Sequence, residues 1–254
     1  MNDARRQWEN RAAKGISSLS GVLFQGLSEQ ANSALHDWHA WIVREIFLPK
    51  LPMGARILDL GCGYGRLSRV IARERPDIQL IGQDLAMPYC QEFSASCGPC
   101  AVASATKPPF DANTFDGIIS ITCLMYVGRA EVTRTLEALR GTLKPEGVFL
   151  AVDPGYELQR LIARLRGRRS HSTTGGQGFT RDQYLESFER SSFVVTETGG
   201  NPFLSLALVV PGVAASNASW VGSALSKQGE KDQRAGGYSR FALHRWIMAR
   251  VSRT

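Results

Sequence analysis

The sequence predicts a doubly wound α/β fold, and three observations lead there. Short apolar runs of strand type alternate with stretches of helical spacing between about residues 50 and 210. The first run, Arg56-Ile57-Leu58-Asp59-Leu60, passes directly into Gly61, Gly63 and Gly65 and then into helical spacing at Leu67, Val70 and Ile71. The second, Asp77 to Asp84, ends in a carboxylate about 20 residues beyond the glycine turn. A buried strand that turns through glycine into a helix is the architecture of a nucleotide-type cofactor site. Glycine permits positive φ and lets the backbone approach a ligand with no Cβ between them.

The spacing separates two kinds of site. A dinucleotide fingerprint is G-x-G-x-x-G, with a phosphate resting on the helix N-terminus. Here the third glycine comes one residue early, Arg66 follows it, and Asp59 stands two residues before the first. A carboxylate there repels a pyrophosphate but suits a ligand bearing an ammonium group. The stretch resembles the class I methyltransferases that use S-adenosylmethionine (SAM). Their first motif, D/E-x-G-x-G-x-G, is matched by Asp59-Leu60-Gly61-Cys62-Gly63-Tyr64-Gly65. The resemblance implies SAM as cofactor and a Rossmann-like sheet in the order 3-2-1-4-5-7-6 with strand seven antiparallel. It covers about residues 50 to 210 and says little about the two ends.

Taken in order, residues 1–50 read as a helical lid. A first helix, capped at Asn2 or Asp3, carries Trp8; a longer one, Glu29 to Phe47, has Leu35, Trp38, Ile42 and Ile46 on one face and ends at Pro49 and Pro52. The core, 51–211, follows. Asp84 is placed to grip the two ribose hydroxyls, with Leu85 beside it. A helix near Pro88 to Ala95 leads to a third strand, Cys100 to Ser104. Where the family commonly has an acid for the adenine amino group, this chain has Ser104-Ala105-Thr106, so a hydroxyl and the Ala105 N–H are the expected adenine contacts.

Phe110 to Ser120 resembles the family's "PF-x-x-x-x-FD-x-V" lead into strand four. Ile121 to Val127 then falls where the family holds the methionine end of SAM and the reacting methyl. Arg129 to Arg140 reads as a helix, and Lys144 to Asp153 resembles the "LKPGG" lead-in and fifth strand. Asp182 to Arg190 reads as a helix, while Phe193 to Thr198 and Phe203 to Val210 read as the last strands. Residues 212–254 read as a flexible basic tail.

Composition narrows the class. With 43% hydrophobic and 21% charged residues the chain reads as an ordinary soluble globular protein. Charges at Arg5, Arg6, Glu9, Arg11 and Lys14 interrupt any leader-like run, and the longest apolar tract, Phe203 to Ala215, falls short of the roughly 20 residues of a bilayer span. Five scattered cysteines fit a reducing cytoplasm. Cys97-Gly98-Pro99-Cys100 lacks the strand-before, helix-after setting of a redox motif, and no second ligand pair points to a metal.

The net charge of +7 sits in two segments. Tyr156 to Arg181 carries six Arg against one Glu; Gly212 to Thr254 carries seven Lys or Arg against two acids. The first lies in an acceptor-side insert at about 154–181, where Arg160, Arg164 and Arg168 step along one face of an amphipathic helix. It reads either as a surface for an anionic membrane or phosphate-bearing acceptor, or as a solvated cap. His171 falls in the glycine-rich loop that follows.

Methyl transfer from a sulfonium is an in-line displacement that chiefly needs alignment in a dry pocket. A hydroxyl acceptor also gains from a base. Tyr126 is one candidate, open between base and pocket wall; His36 and His39, three apart on the N-terminal helix, are the others. The expected cofactor contacts are Asp59, Gly61, Cys62, Gly63, Gly65, Asp84, Leu85, Ser104, Ala105 and Ile121. The leading expectation is a cytoplasmic, possible-membrane-peripheral O-methyltransferase of a small-molecule or lipid-linked sugar acceptor, metal-free. The alternatives are C-methylation of a quinone-type precursor and, against the missing base-pocket and RNA motifs, nucleic-acid methylation.

Overall fold

The computed structural model of the chain describes residues 2–165, 176–210, 212–235 and 242–252. Its first fifty residues are helical. Helices α1 (Asn2–Ala13) and α2 (Leu19–Val22) precede α3 (Glu29–Ile42), whose N-terminus is capped by the Ser28 hydroxyl accepting from the Ala31 N–H at 3.2 Å. The helix continues as one wide turn, Val43–Phe47, before a short 3₁₀ turn that contains Pro49. Leu35, Trp38 and Ile42 of α3 are fully buried, as their spacing predicts.

The core then alternates strand and helix: β1 (Arg56–Leu60), α4 (Ser68–Glu74), β2 (Gln79–Asp84), α5 (Met87–Ser96), β3 (Cys100–Val102) and β4 (Phe115–Ile121). After a 3₁₀ turn at Leu124–Tyr126 come α6 (Val132–Thr142), β5 (Leu143–Pro154), α7 (Tyr156–Leu165), α8 (Arg181–Arg190) and β6 (Phe193–Gly200). The chain closes with α9 (Pro202–Val209), α10 (Ser219–Ala235) and β7 (His244–Val251). The sheet order is β3-β2-β1-β4-β5-β7-β6, with β7 antiparallel to both neighbours.

Alternate residues of each strand feed two cores, as the pleat requires. Ile57, Leu80, Ile119, Leu150, Val152, Trp246 and Met248 face α3, α9 and α10. Leu58, Leu60, Ile118, Phe149, Ile247 and Ala249 face α6 and α8, meeting Leu136, Leu139, Tyr184 and Phe188. Helix α10 packs on α3, where a Cβ added at Gly222 would meet the Gln30 side chain.

Two expectations for the C-terminal quarter are corrected. Phe203 to Val210 lies in helix α9 and not in a strand, because the Asp232 carboxylate of α10 accepts from the Phe203 and Leu204 N–H groups at 2.8 and 2.9 Å and satisfies its N-terminus. Residues 212–254 do not form a flexible tail throughout, since α10 packs on α3 and β7 is threaded into the sheet. The core therefore runs well past residue 211. β7 carries Arg245, whose 1% exposed side chain pairs with Glu157 of α7 at 2.6 Å, so a charge that reads as surface lies inside.

No helix among the described residues is long and apolar enough to cross a membrane. On α7, Leu158 is buried while Arg160 and Arg164 are exposed. Arg168 and His171 lie outside the described residues.

Candidate active site

The strand ends of β1, β2 and β4 open onto one cavity of about 460 Å³, within the range of small-molecule sites. The loop after β1 forms its floor. Gly61 and Gly63 have φ of +70° and +53°, and a Cβ on Gly61 would sit 2.7 Å from Cys123 Sγ. No other residue type meets both the backbone and the space there.

Two carboxylates flank this floor. Asp59, buried at the end of β1, accepts from the Ser68 hydroxyl at 2.7 Å. Burial raises its pKa to about 6, opposed by that hydrogen bond and by the Arg66 charge. Asp84 ends β2; its Oδ2 accepts from the Gly63 N–H and its Oδ1 from the Ala86 N–H, both at 2.9 Å. Its pKa also rises to about 6 through burial, against those two backbone bonds. The Asp84 side chain thus ties the glycine loop to the start of α5.

Of the expected cofactor contacts, Asp59, Gly61, Cys62, Gly63, Asp84, Leu85, Ser104, Ala105 and Ile121 border the cavity. Gly65 does not; it is packed against Cys97 and Phe93 behind the loop. The Cys97–Cys100 motif lies on the same side, with Cys100 Sγ 3.6 Å from Cys62 Sγ.

Tyr126 borders the far end of the cavity, its ring edge-on to Trp8 of α1 at 5.0 Å. His36 and His39 do not border it. His39 is fully buried, with Nε2 2.9 Å from His244 Nδ1 on β7, and His36 Nδ1 lies 2.8 Å from Arg66 Nη1. The expectation that either imidazole reaches the acceptor is corrected: both rings stand behind Arg66, which itself lines the cavity.

The lining also holds Trp8 and Glu131, which the sequence did not single out for the site, and Thr122, which falls in the expected stretch Ile121 to Val127. Thr122, at the end of β4, has φ of +58°, an uncommon conformation for a β-branched residue. The buried Asp153 shapes the same end without lining it. It accepts from the Met125 N–H at 2.9 Å and the Tyr184 hydroxyl at 2.8 Å, which fixes the turn that carries Tyr126.

The residues present fit SAM. The cavity offers a loop open to close backbone approach, a carboxylate at a strand end for a diol, and a second carboxylate and a guanidinium, Asp59 and Arg66, for a zwitterionic group.

Comparison with known proteins agrees with this geometry. Residues 57–147 match a family described as a methyltransferase domain. Over 105 residues the chain is 30% identical to a tRNA (carboxymethyluridine(34)-5-O)-methyltransferase of Schizosaccharomyces pombe, a match covering 41% of this chain and 43% of that one. Over 116 residues it is 32% identical to a trans-aconitate 2-methyltransferase of Streptomyces avermitilis, covering 42% of each. The chain thus spans less than half the length of these relatives. The fold is similar to that of geranyl diphosphate C-methyltransferase from Streptomyces coelicolor A3(2), solved with S-adenosyl-L-homocysteine, at a TM-score of 0.67, 13% identity and coverage of 99% and 97%. The strand order is thus that of a methyltransferase fold, and the segment 57–147, which holds the glycine motif, is similar to a SAM-dependent methyltransferase domain.

Proposed function

We propose that the chain transfers the methyl group of SAM to an oxygen atom, and that a carboxylate oxygen suits the site best. The observation that carries this reading is the make-up of the cavity. Asp59 and Asp84 stand on the glycine-loop side, where Val22 lies against Gly63; among the described residues no histidine borders the cavity, and the segment after β4 lines it with Tyr126, Val127, Gly128 and Glu131, Trp8 standing against Tyr126. A hydroxyl acceptor gains about 10²–10⁴-fold from a base, whereas a carboxylate is ionised at neutral pH and attacks without one. What the protein then supplies is alignment and exclusion of water. SAM supplies the electrophilic methyl when bound.

The relatives support the same chemistry, since carboxymethyluridine and trans-aconitate both carry a carboxyl group by name. The exposed Arg160 and Arg164 on α7 would face an anionic carrier of such an acceptor.

The test uses purified protein, SAM labelled in the methyl group and a fractionated cell extract. Label is counted in the organic, aqueous, nucleic-acid and protein fractions, and each labelled fraction is then treated with mild alkali. A methyl ester releases volatile methanol, while methyl ethers and C-methyl groups keep their label. Volatile label is the expected result. Alkali-stable label would overturn the carboxylate assignment, and its fraction would separate a lipid, a nucleic acid and a soluble metabolite. No label above a heat-killed control would sink the methyltransferase reading.

A further inference from the structure

We propose that Cys62 and Cys100 form a reversible disulfide when the chain meets a peroxide, and that this bond disables the cofactor site by drawing the glycine loop toward β3. The pairing stands on the thiols alone; its effect on binding rests on the SAM reading above.

The partner of Cys100 is not the cysteine three residues before it. Cys97 Sγ lies 3.6 Å from Ser96 Oγ and 3.9 Å from the Gly65 carbonyl oxygen. Cys100 Sγ instead lies 3.6 Å from Cys62 Sγ, 38 residues away in the chain. β2 stands between β1 and β3, and its Gly82 pairs with Asp59 on one side and Cys100 on the other. The Cys62 N–H donates to the Gln83 carbonyl at 3.1 Å, which folds the loop over β2. The contact across β2 needs a glycine, since a Cβ at Gly82 would stand 2.9 Å from Cys62 Sγ. Cys90 of α5 adds a third thiol, its Sγ 3.5 Å from the Ala101 carbonyl oxygen beside Cys100.

The three thiols differ in access and acidity. β3 is the edge strand, and Cys100 is half-buried there, within reach of a small oxidant. Cys62 lines the cavity, and burial holds its pKa well above the ordinary value, so it waits as a thiol. Cys90 accepts hydrogen bonds from both neighbours, which draws its pKa down and makes it the place where a proton released by Cys100 can rest. A reachable thiol with a base and a second thiol beside it is the setting of a redox sensor.

The chemistry balances with hydrogen peroxide as oxidant. Cys100, its proton passed to Cys90, attacks one peroxide oxygen; an S–O bond forms, the O–O bond breaks, and the leaving hydroxide takes that proton to become water. The Cys62 sulfur then attacks the sulfenic sulfur of Cys100; the S–S bond forms, the S–O bond breaks, and hydroxide leaves with the Cys62 proton as a second water. Two thiols are oxidised and one peroxide is reduced. A disulfide holds its sulfurs about 2.05 Å apart, so the pair must close by about 1.5 Å. β3 is paired to β2 along its length, so the movement falls on the loop. It pulls on Gly63, whose N–H is bonded to Asp84, and so on the cofactor floor.

The experiment treats the reduced full chain with hydrogen peroxide, blocks remaining thiols with N-ethylmaleimide and maps linked peptides by mass spectrometry without reductant. Cleavage at Arg66 and Glu92 separates Cys62, Cys90 and the Cys97 to Cys100 segment. Calorimetric titration with S-adenosylhomocysteine follows before oxidation, after it, and after dithiothreitol. A Cys62 to Cys100 link is expected, with affinity weakened by at least about tenfold and restored by dithiothreitol. Saturation with S-adenosylhomocysteine beforehand should slow the linking. Cys100→Ser, which lies outside the cavity lining, should bind like reduced wild type and keep its affinity under peroxide, while Cys97→Ser should stay sensitive. Cys62 left unlinked in oxidised wild type would overturn the proposal. So would a linked protein that binds within about threefold of the reduced one, or a Cys100→Ser protein as sensitive as wild type. If the reduced, natively folded protein binds no S-adenosylhomocysteine, the SAM reading fails, and the peptide map still decides the pairing.

Discussion

Replacing Asp84 by Asn is expected to separate ligand recognition from folding. The substitution keeps the size of the side chain, removes its charge and turns one acceptor into a donor. The carboxylate accepts from the Gly63 and Ala86 N–H groups, and an amide can accept through only one atom, so one N–H is left facing a donor. That costs about 1–3 kcal/mol of stability. Against it, burial raises the Asp84 pKa from 3.8 to about 6. Holding it ionised near pH 7.5 therefore costs about 3 kcal/mol, a cost that Asn avoids. The two effects nearly cancel, and the melting temperature of the free protein should move by no more than about 4 °C.

Binding has no such compensation. The ribose diol loses charge-assisted character in two hydrogen bonds, about 1.5 kcal/mol each, which predicts S-adenosylhomocysteine binding weakened about 10²-fold. Calorimetric titration with a parallel melting curve reads both quantities. A dissociation constant within threefold of wild type would refute the ribose assignment, since no folding defect could mask the result in that direction.

Two further outcomes follow from the same geometry. Burial raises Asp59 and Asp84 to about 6 and Asp153 to about 7. The folded chain then keeps protons that the unfolded chain has already lost, so stability of the free protein should fall as pH rises from about 4 through 7. Ligand binding favours ionised Asp59 and Asp84. Affinity for S-adenosylhomocysteine should therefore rise with pH up to about 6, by as much as tenfold per pH unit for each carboxylate, and binding at pH 6 should release protons into the buffer; affinity flat between pH 5 and 8 would contradict this. Tyr126→Phe leaves the ring edge-on to Trp8 and removes one hydroxyl. It should lower kcat/KM less than tenfold, and a loss of 10² or more would make the phenol a base after all.

What could be read from the sequence divides along the range of the interactions involved. β1 to β5 and their helices announce themselves through local periodicity and turn residues, and the cofactor floor lies at their ends, so Asp59, the glycines and Asp84 were readable one at a time. Helix α9 was not. Its sequence, PFLSLALV, is apolar on every side and has no helical stripe, and the groups that satisfy its N-terminus belong to Asp232, thirty residues on. β7 was hidden differently. Trp246, Ile247, Met248 and Ala249 all face one core or the other, but Arg245 and Arg250 break the run, and the pairing of Arg245 with Glu157 is visible only once α7 is in place.

The two histidines failed as a catalytic reading for a related reason, and the failure bears on how the site works. Their spacing correctly set His36 and His39 on one side of α3, yet the groups they face, Arg66 and His244, come from the glycine loop and from the last strand. β7 enters the sheet between β5 and β6, so His39 meets His244 only when that strand is seated. On this arrangement the glycine loop and its two carboxylates supply a cofactor site that most of the core could build alone, while the direction of the Arg66 guanidinium depends on the whole fold.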